Sequence, residues 1–441
     1  MSLDLGKYGE KLKRIDPLKT SGKVTQVIGL VLEAAGLKTS IGELCKVVSR
    51  NEQIVIDAEV VGFKEGKALL MPLGDLRGIG PGAKVVAMEE EFKVPVGEAL
   101  LGRVIDGLGR PLDGKGPLKT RKEYSVYREP SDPITRKKID TAVATGIRSV
   151  DANLTIGRGQ RMGIFSGSGV GKSTTLGMIA RNTSADVNVI ALIGERGREV
   201  RDFIEKDLKA EGLRRSVVIA ATSDQPALIR RMGAFVATTI AEYFRDTGKN
   251  VMLMMDSVTR FAMAQREIGL AIGEPPTTKG YTPSVFALLP KLLERAGTTP
   301  KEGSITGLYT VLVEADDLNE PISDSVRAIL DGHIVLSRAL AAQNQYPPVD
   351  ILDSVSRCMI DITEKSHRDD AAKLKEILAV YKNAEDLINI GAYAKGSNPQ
   401  IDYAIDRISG VKAFLIQGIE EKTEYSETLD RLAMLFAAGG Y

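Results

Sequence analysis

The chain has 441 residues, of which 43% are hydrophobic and 27% are charged, as in ordinary soluble globular proteins. Because this length exceeds one hydrophobic core, we expect two or three domains. The 59 basic and 58 acidic residues balance, which excludes an overall attraction to nucleic acid or anionic lipid. Two cysteines and two histidines exclude a disulfide framework and a histidine-based metal centre. With no secretory signal and no run of about 20 apolar residues, the sequence predicts a cytosolic protein.

Residues 1–20 form the first region, in which Leu5, Tyr8, Leu12 and Ile15 recur at helical spacing. This pattern predicts a short amphipathic helix that ends at Pro17. A helix this short is marginal alone and needs something to pack against. A partner-binding helix and a frayed terminus are both compatible with the pattern.

Residues 21–92 are rich in β-branched residues and are punctuated by turns. Residues 64–67, Lys-Glu-Gly-Lys, have the composition of a hairpin loop. Short strands at this spacing predict a small β-barrel. The strand candidates are Val24–Val31, Cys45–Val48, Gln53–Phe63, Ala68–Met71 and Lys84–Met88.

Residues 94–118 are a stretch punctuated by Gly and Pro that leads into the next domain. Residues from about 140 to 345 alternate apolar strands with helical stretches, a pattern typical of a parallel α/β sheet. Residues 346–441 are mainly helical in pattern. The predicted strands are Arg161–Phe165, Val187–Ile193, Val217–Ala221, Val251–Met255, Ile305–Val313 and Ile334–Leu336, and the predicted C-terminal helices are Ala371–Ile390, Tyr403–Ile419 and Ser426–Phe436.

A phosphate-binding loop occupies residues 166–173, Ser-Gly-Ser-Gly-Val-Gly-Lys-Ser, between a predicted strand and a predicted helix. Its glycines let backbone N–H groups converge on an anion, and the helix adds its positive N-terminal end. Lys172 would reach the β- and γ-phosphates of ATP, and the Ser173 hydroxyl would ligate Mg²⁺. Ser166 departs from the strict pattern, which begins with Gly, although a small residue should still allow the turn. The residues expected to contact ATP or ADP are Ser168, Gly169, Val170, Gly171, Lys172, Ser173 and Thr174.

Two predicted strands end close to carboxylates. Asp256 follows Val251–Met255, where it could hold the Mg²⁺ shell through water or simply cap the next helix. Glu195 and Glu199 follow Val187–Ile193, and spacing alone leaves them as competitors for orienting and deprotonating the attacking water. A solvated charged turn is the alternative for both.

Three segments together carry a resemblance to a known superfamily: SGSGVGKST, LIGERGREV and the strand end DSVTRF. They resemble the catalytic domain of rotary ATPases. Residues 262–297, AMAQREIGLAIGEPPTTKGYTPSVFALLPKLLERAG, resemble type III secretion ATPases, and residues 384–405, AEDLINIGAYAKGSNPQIDYAI, resemble the flagellar ones. The resemblance implies an α/β fold with a RecA-like phosphate-loop ATPase core over residues 93–345. The N-terminal β-barrel would cover residues 21–92, and the C-terminal helical domain residues 346–441.

The same resemblance implies roles for particular residues. Glu195 becomes the catalytic carboxylate and Glu199 a structural neighbour, while Lys172 and Ser173 keep the roles given above and Lys172 counts among the catalytic residues. Arg357 matches an arginine finger that reaches the γ-phosphate bound by a neighbouring subunit. Tyr346 matches an aromatic residue that stacks on adenine. Alternatively, Arg357 could pair with a nearby aspartate, Asp353 or Asp361, and Tyr346 could belong to the core.

By resemblance we also expect a homohexamer that exports flagellar subunits, with a stator-like regulator dimer on the N-terminal helix and a coiled-coil stalk protein in the pore. Export-gate membrane proteins and chaperone–substrate complexes would be further partners, nucleic acid would not, and the location would be cytoplasmic, at the inner membrane of the flagellar base. Residues 273–281, Gly-Glu-Pro-Pro-Thr-Thr-Lys-Gly-Tyr, could grip a protein in the pore or act as a rigid connector.

Four other functions compete with flagellar export. An injectisome ATPase shares the catalytic residues. A catalytic subunit of a rotary ATP synthase is disfavoured because the C-terminal helices lack an acidic DELSEED-type segment. An RNA-binding termination helicase is disfavoured because residues 21–92 contain only two aromatics, Phe63 and Phe92. A non-catalytic nucleotide-binding subunit would be expected to lose Lys172 or Glu195, and both are present.

Overall fold

The computed structural model describes residues 21–313 and 317–437. The helix predicted for residues 1–20 lies outside the described residues. The chain divides into two compact units, one comprising residues up to Lys93 together with Glu267–Pro275, and the other comprising Val94–Arg266 and the chain from Pro276 onward.

The first unit contains a closed barrel of antiparallel strands in the order β1-β2-β5-β4-β3-β6, which confirms the predicted barrel. Alternate side chains point inward, and Leu32, Val47, Val60, Leu70 and Val85 are fully buried in its core. The strands are β1 Ser21–Ile28, β2 Val31–Ala35, β3 Glu43–Val48, β4 Val55–Lys64, β5 Lys67–Pro72 and β6 Lys84–Glu91.

Two turns of the barrel test the sequence patterns closely. The predicted hairpin loop is confirmed: β4 ends at Lys64, β5 begins at Lys67, and Glu65 and Gly66 have φ of 49° and 74°. Positive φ at both central residues suits the twist of the flanking strands. The single strand predicted over Val24–Val31 is wrong, because Gly29, with φ of 55°, turns the chain and divides the apolar run between β1 and β2.

The second unit contains a nine-stranded sheet whose main path is β19-β18-β12-β17-β15-β13-β14-β8. Its central strands are parallel and buried on both faces, as the near-continuous apolar runs predicted. β16 pairs antiparallel with β17, and β19 pairs antiparallel with β18. The strands of this unit, including the small pairs outside the sheet, are β7 Lys93–Val96, β8 Arg103–Asp106, β9 Lys122–Ser125, β10 Ala142–Val143, β11 Ile156–Gly157, β12 Arg161–Ser166, β13 Val187–Ile193, β14 Ser216–Ala221, β15 Asn250–Asp256, β16 Gly297–Thr298, β17 Ser304–Leu312, β18 Gly332–Leu336 and β19 Val349–Ser356.

Register places the functional strand ends at one edge of this sheet. Ser166, the last residue of β12, pairs with Leu312 of β17 and with Leu336 of β18. Asp256, at the end of β15, pairs with Leu192 of β13. The loops that follow the carboxyl ends of parallel strands therefore converge at this edge, where open α/β sheets bind ligands.

Helices surround the sheet and continue into the C-terminal region. The buried side chains of Leu374, Ile377, Phe414 and Leu432 belong to the same hydrophobic cluster as the sheet residues. No helix in the described ranges is long and apolar enough to cross a membrane. The helices are α1 Arg148–Asn153, α2 Lys172–Asn182, α3 Gly197–Asp202, α4 Lys209–Arg214, α5 Ala227–Asp246, α6 Val258–Ile272, α7 Pro283–Leu293, α8 Pro321–Ile329, α9 Arg338–Ala342, α10 Met359–Ile362, α11 Lys365–Asn389, α12 Pro399–Leu415 and α13 Tyr425–Met434, with a π-helical turn at Phe203–Leu208 and single 3₁₀ turns at Glu98–Leu100 and Thr278–Gly280.

Candidate active site

The phosphate loop joins β12 to α2 in a conformation that only glycine adopts readily. Gly169 and Gly171 have φ of 77° and 100°, so a side chain at either position would be strained. No side chain caps the N-terminus of α2 at Gly171. The first N–H groups of that helix therefore point at the space above the loop, which suits a phosphate group.

Lys172, the first residue of α2, lies between two carboxylates. Its Nζ donates a hydrogen bond to Oδ1 of Asp256 and stands 3.6 Å from Oε1 of Glu195. All three side chains are largely buried, with exposed fractions of 11% for Lys172, 4% for Asp256 and 15% for Glu195. The fold thus brings together a lysine and two acids that the sequence separates by 23 to 84 positions.

Thr310, on β17, forms a hydrogen bond with Asp256. This fully buried threonine donates its hydroxyl hydrogen to Oδ1 of Asp256 over 2.8 Å. The same carboxylate oxygen therefore accepts from both Lys172 and Thr310. Hydrogen bonds to a charged group are stronger than neutral ones, so this arrangement fixes the orientation of Asp256.

Glu195 follows β13 and has a perturbed acidity. Burial, and after it the negative charge of Asp256, raise the pKa of its carboxyl to about 7, and the positive charge of Lys172 opposes them. A hydrogen bond and the charge of Glu199 add to the increase. A carboxyl with a pKa near neutral pH, set beside a phosphate loop, is suited to accept a proton from water.

A cavity of about 720 Å³ opens above the loop. Its lining includes Lys172, Ser173 and Thr174, together with Glu195 and Glu199. The volume lies within the range of cavities that hold nucleotide-sized ligands. The described residues contain no group of three or more His, Cys, Asp or Glu side chains that could hold a metal ion by themselves.

Sequence reasoning missed four charged residues that line the same cavity: Arg196, Arg260, Glu320 and Arg338. Arg260 packs its aliphatic stem against Gly194, where a β-carbon would stand only 2.9 Å from it. Its Nε is buried without a hydrogen-bond partner in the described chain. The available signals were the position of Arg196 directly after Glu195 and of Arg260 one helical turn after Asp256.

The two residues assigned by resemblance lie in different places. Tyr346 packs at the phosphate loop: its ring stands 3.7 Å from the position that a β-carbon on Gly171 would occupy, and the residue is 42% exposed. Arg357 follows β19, whose last residue, Ser356, pairs with Gly332 at the start of β18. Arg357 therefore lies at the opposite edge of the sheet from the phosphate loop of its own chain. The residue is exposed.

Arg357 does not pair with either aspartate named above as an alternative partner, Asp353 or Asp361. Among the described residues no carboxylate forms an ion pair with its guanidinium. Its backbone N–H donates to the backbone carbonyl oxygen of Asp331 over 3.0 Å. The side chain is thus presented outward. The glycine loop lies at the carboxyl edge of the parallel sheet, and beside it a lysine stands between two acids. Together these features define the class of phosphate-loop proteins that bind nucleoside triphosphates.

Comparison with known proteins narrows this class. Residues 146–356 match the family described as "ATP synthase alpha/beta family, nucleotide-binding domain", and residues 24–89 match the beta-barrel domain of the same family. Residues 363–434 match the "T3SS EscN ATPase C-terminal domain". The chain therefore belongs to the ATP synthase alpha/beta family, in the branch of flagellum-specific and type III secretion ATPases, and it is an ATP-hydrolysing enzyme.

Individual relatives are similar to this chain along nearly its whole length. The "Flagellum-specific ATP synthase" of Bacillus subtilis is 56% identical, over 96% of this chain and 97% of the relative. The "Type 3 secretion system ATPase" of Xanthomonas euvesicatoria is 52% identical, over 93% of each chain. The assembled ATPase EscN in complex with its central stalk EscO, from the enteropathogenic E. coli type III secretion system, superposes with a TM-score of 0.87 at 47% identity. That match covers 94% of this chain and all of the neighbour's.

Proposed function

We propose that this chain is the ATPase of a flagellar protein export apparatus, hydrolysing ATP to ADP and phosphate to support export of flagellar subunits. The observation that carries the chemistry is the placement of Lys172 between Glu195 and Asp256 at the phosphate loop. The flagellar assignment draws on the relative from Bacillus subtilis and on the segment at residues 384–405.

Each residue then has a distinct task. The N–H groups of the loop residues and of the α2 N-terminus bind the phosphates, and Lys172 exchanges Asp256 for the β- and γ-phosphate oxygens. Glu195 orients a water molecule and takes its proton while the water oxygen bonds to the γ-phosphorus. The bond from the γ-phosphorus to the bridging oxygen breaks, and ADP leaves with that electron pair.

The donor set fits a nucleotide that arrives with Mg²⁺. This cation keeps several waters and takes phosphate oxygens, so it does not need a cage of protein carboxylates. Ser173, which is exposed in the cavity lining, would ligate it, and Asp256 would hold it through water. When bound, Mg²⁺ neutralises charge that develops on the phosphate oxygens.

Arg357 completes the site of a neighbouring subunit in this proposal. It is exposed, it lies at the edge of the sheet away from its own loop, and a planar guanidinium suits the charge of a phosphoryl group in transfer. A homohexamer places one such arginine at each subunit boundary, and the solved neighbour is described as assembled. Isolated chains should then turn over slowly.

The remaining partners follow the relatives. A coiled-coil stalk protein in the pore is proposed because the solved neighbour binds a central stalk. A stator-like regulator dimer at residues 1–20, export-gate membrane proteins and chaperone–substrate complexes are proposed from the family. The chain would work in the cytoplasm, peripherally attached to the inner membrane at the flagellar base.

An injectisome ATPase remains the second candidate, because the Xanthomonas euvesicatoria relative is almost as similar as the flagellar one. The genes that surround the coding sequence would separate the two systems. The catalytic subunit of a rotary ATP synthase is less well supported, since residues 363–434 match the C-terminal domain of the secretion ATPases.

The decisive experiment measures ATP turnover, nucleotide binding and oligomeric state for wild type, Glu195→Gln and Glu199→Gln. Glu195→Gln should keep binding ATP and assembling while its turnover falls by about 10²-fold to 10⁴-fold, the usual contribution of a general base. Glu199→Gln serves as the matched variant and should retain most of the activity. Turnover at the wild-type rate in Glu195→Gln, or a complete loss in Glu199→Gln alone, would contradict the assignment.

A further inference from the structure

Gln417 lies in the segment that joins α12 to α13, defined here as the linker 416–424. It is only 2% exposed. Its side-chain Oε1 accepts from the backbone N–H of Arg148 over 2.8 Å, and its Nε2 donates to the carbonyl oxygens of Gly146, over 2.8 Å, and Glu421, over 3.0 Å. Only a carboxamide can accept on one side and donate twice on the other, so these partners fix its orientation.

The backbone of the same residue reaches the phosphate loop. The N–H of Gln417 donates to the carbonyl oxygen of Tyr346 over 2.8 Å. The ring of Tyr346 in turn packs at Gly171, whose backbone forms part of the phosphate loop. A continuous set of contacts therefore runs from the buried amide of Gln417 to the loop that holds the nucleotide.

Charged side chains anchor the rest of the linker to the same unit. The guanidinium of Arg148, which is 3% exposed, donates to the carbonyl oxygen of Phe414 over 2.9 Å and pairs with Glu421. Arg181, in the last turn of the phosphate-loop helix α2, donates to the carbonyl oxygen of Ile419 over 2.7 Å.

Lys209 adds a further anchor, since its Nζ lies 2.6 Å from both carboxylate oxygens of Glu420. The linker is therefore held at several points, and the Gln417 amide is its buried attachment beside Tyr346. We therefore expect a change at that amide to shift the backbone N–H that holds Tyr346.

From these contacts we infer that Gln417 is a positioning residue for nucleotide binding, and that it sets the place of Tyr346 against the base of ATP. The inference rests on the proposed stacking role of Tyr346. It assigns part of the recognition of the base to a residue of the C-terminal helical region. Because Lys172 and Glu195 act on the phosphates, loss of the Gln417 amide should weaken base recognition and leave the chemical step nearly unchanged.

The test compares Gln417→Glu with wild type, Tyr346→Ala and the double variant, all as full chains. Gln417→Glu replaces the two donations by an anion that faces two carbonyl oxygens, while Gln417→Met keeps the length and removes both polar ends. Gln400→Glu, at an exposed position of α12, is the matched control. The measurements are KM and kcat for ATP and the inhibition constant of tripolyphosphate, a chain of phosphates that carries no base.

We expect Gln417→Glu to raise KM for ATP about tenfold, the factor that corresponds to about 1.4 kcal/mol. We expect kcat and the inhibition constant of tripolyphosphate to stay within about twofold of wild type, because both report on the phosphate side. The double variant should be no worse than Tyr346→Ala, since coupled residues are not additive. Gln400→Glu should match wild type.

Three results would overturn the inference, and they differ from a failure of the proposed function. If Tyr346→Ala raises KM and Gln417→Glu does not, Gln417 does not position the base, while the role of Tyr346 stands. If ATP and tripolyphosphate weaken by the same factor, Gln417 acts on the whole fold. If Tyr346→Ala leaves KM unchanged, the stacking role itself is wrong. Should Gln417→Glu not fold, Gln417→Met carries the same comparison.

Discussion

The raised pKa of Glu195 leads to a specific dependence of ATP hydrolysis on pH. Its carboxyl must be ionised to take a proton from water, and burial together with Asp256 sets its pKa at about 7 in the free protein. A single base with this pKa is about 90% ionised one unit above it and about 10% ionised one unit below it. We therefore expect kcat/KM to fall about tenfold from pH 8 to pH 6.

The perturbation that tests the cause is Glu199→Gln. Glu199 raises the pKa of Glu195 through a hydrogen bond and through its charge, so its neutral replacement should lower that pKa. A lower pKa keeps Glu195 ionised at lower pH, so the acidic limb of the kcat/KM profile should shift to lower pH. Glu205→Gln is the control, because Glu205 is half exposed and pairs with Arg201 instead.

The assay is steady-state ATP hydrolysis from pH 5.5 to pH 8.5, with Mg²⁺ in excess so that the terminal phosphate of ATP stays ionised. Protein concentration is held where the oligomeric state does not change across the series. A profile of kcat/KM that is flat through pH 7 would refute the reasoning. So would a limb that persists at the same pH in the residual activity of Glu195→Gln.

Two further predictions concern the support of the site and of the fold. Thr310→Val removes the hydroxyl that donates to Asp256, and because hydrogen bonds to charged groups contribute about 1.5 to 3 kcal/mol, we expect a loss of that order in unfolding free energy together with a lower kcat. Denaturant titration and turnover check this result against Thr238→Val, a buried helix threonine whose hydroxyl bonds only a carbonyl of its own helix. Glu242→Gln leaves the guanidinium of Arg295, which is 1% exposed, without its charged partner, so we expect a loss of about 3 to 5 kcal/mol. A denaturation midpoint that does not move in Glu242→Gln would show that this buried pair contributes little.

Much of the fold could be predicted because strand and helix patterns are local. Apolar runs located β12, β13, β14, β15, β17 and β18 to within about two residues at their ends, although the two-residue strand β16 was missed. The Glu65–Gly66 turn was readable from composition. The division at Gly29 was missed because a glycine within an apolar run does not reveal whether the chain turns there. The barrel strand β2 then had no separate signal.

The candidate site was only partly predictable for a related reason. Lys172, Ser173 and their neighbours follow from the loop, since backbone geometry and helix polarity act over a few residues. Arg260 and Arg338 carry no such local mark. Their place in the cavity depends on which strand ends lie side by side.

The sequence by itself determined that this chain binds a phosphate group, because eight residues encode both the glycine loop and the start of the helix at Lys172. In the structure two of these glycines have φ of 77° and 100°, as the loop requires. Tertiary structure alone decided what surrounds it. The register of β13, β15 and β17 brings Glu195 and Asp256 to Lys172 and brings Thr310 to Asp256. The linker 416–424 brings Gln417 to Tyr346. These residues are far apart along the chain, so only the packing of the sheet and its helices into one core could set their distances.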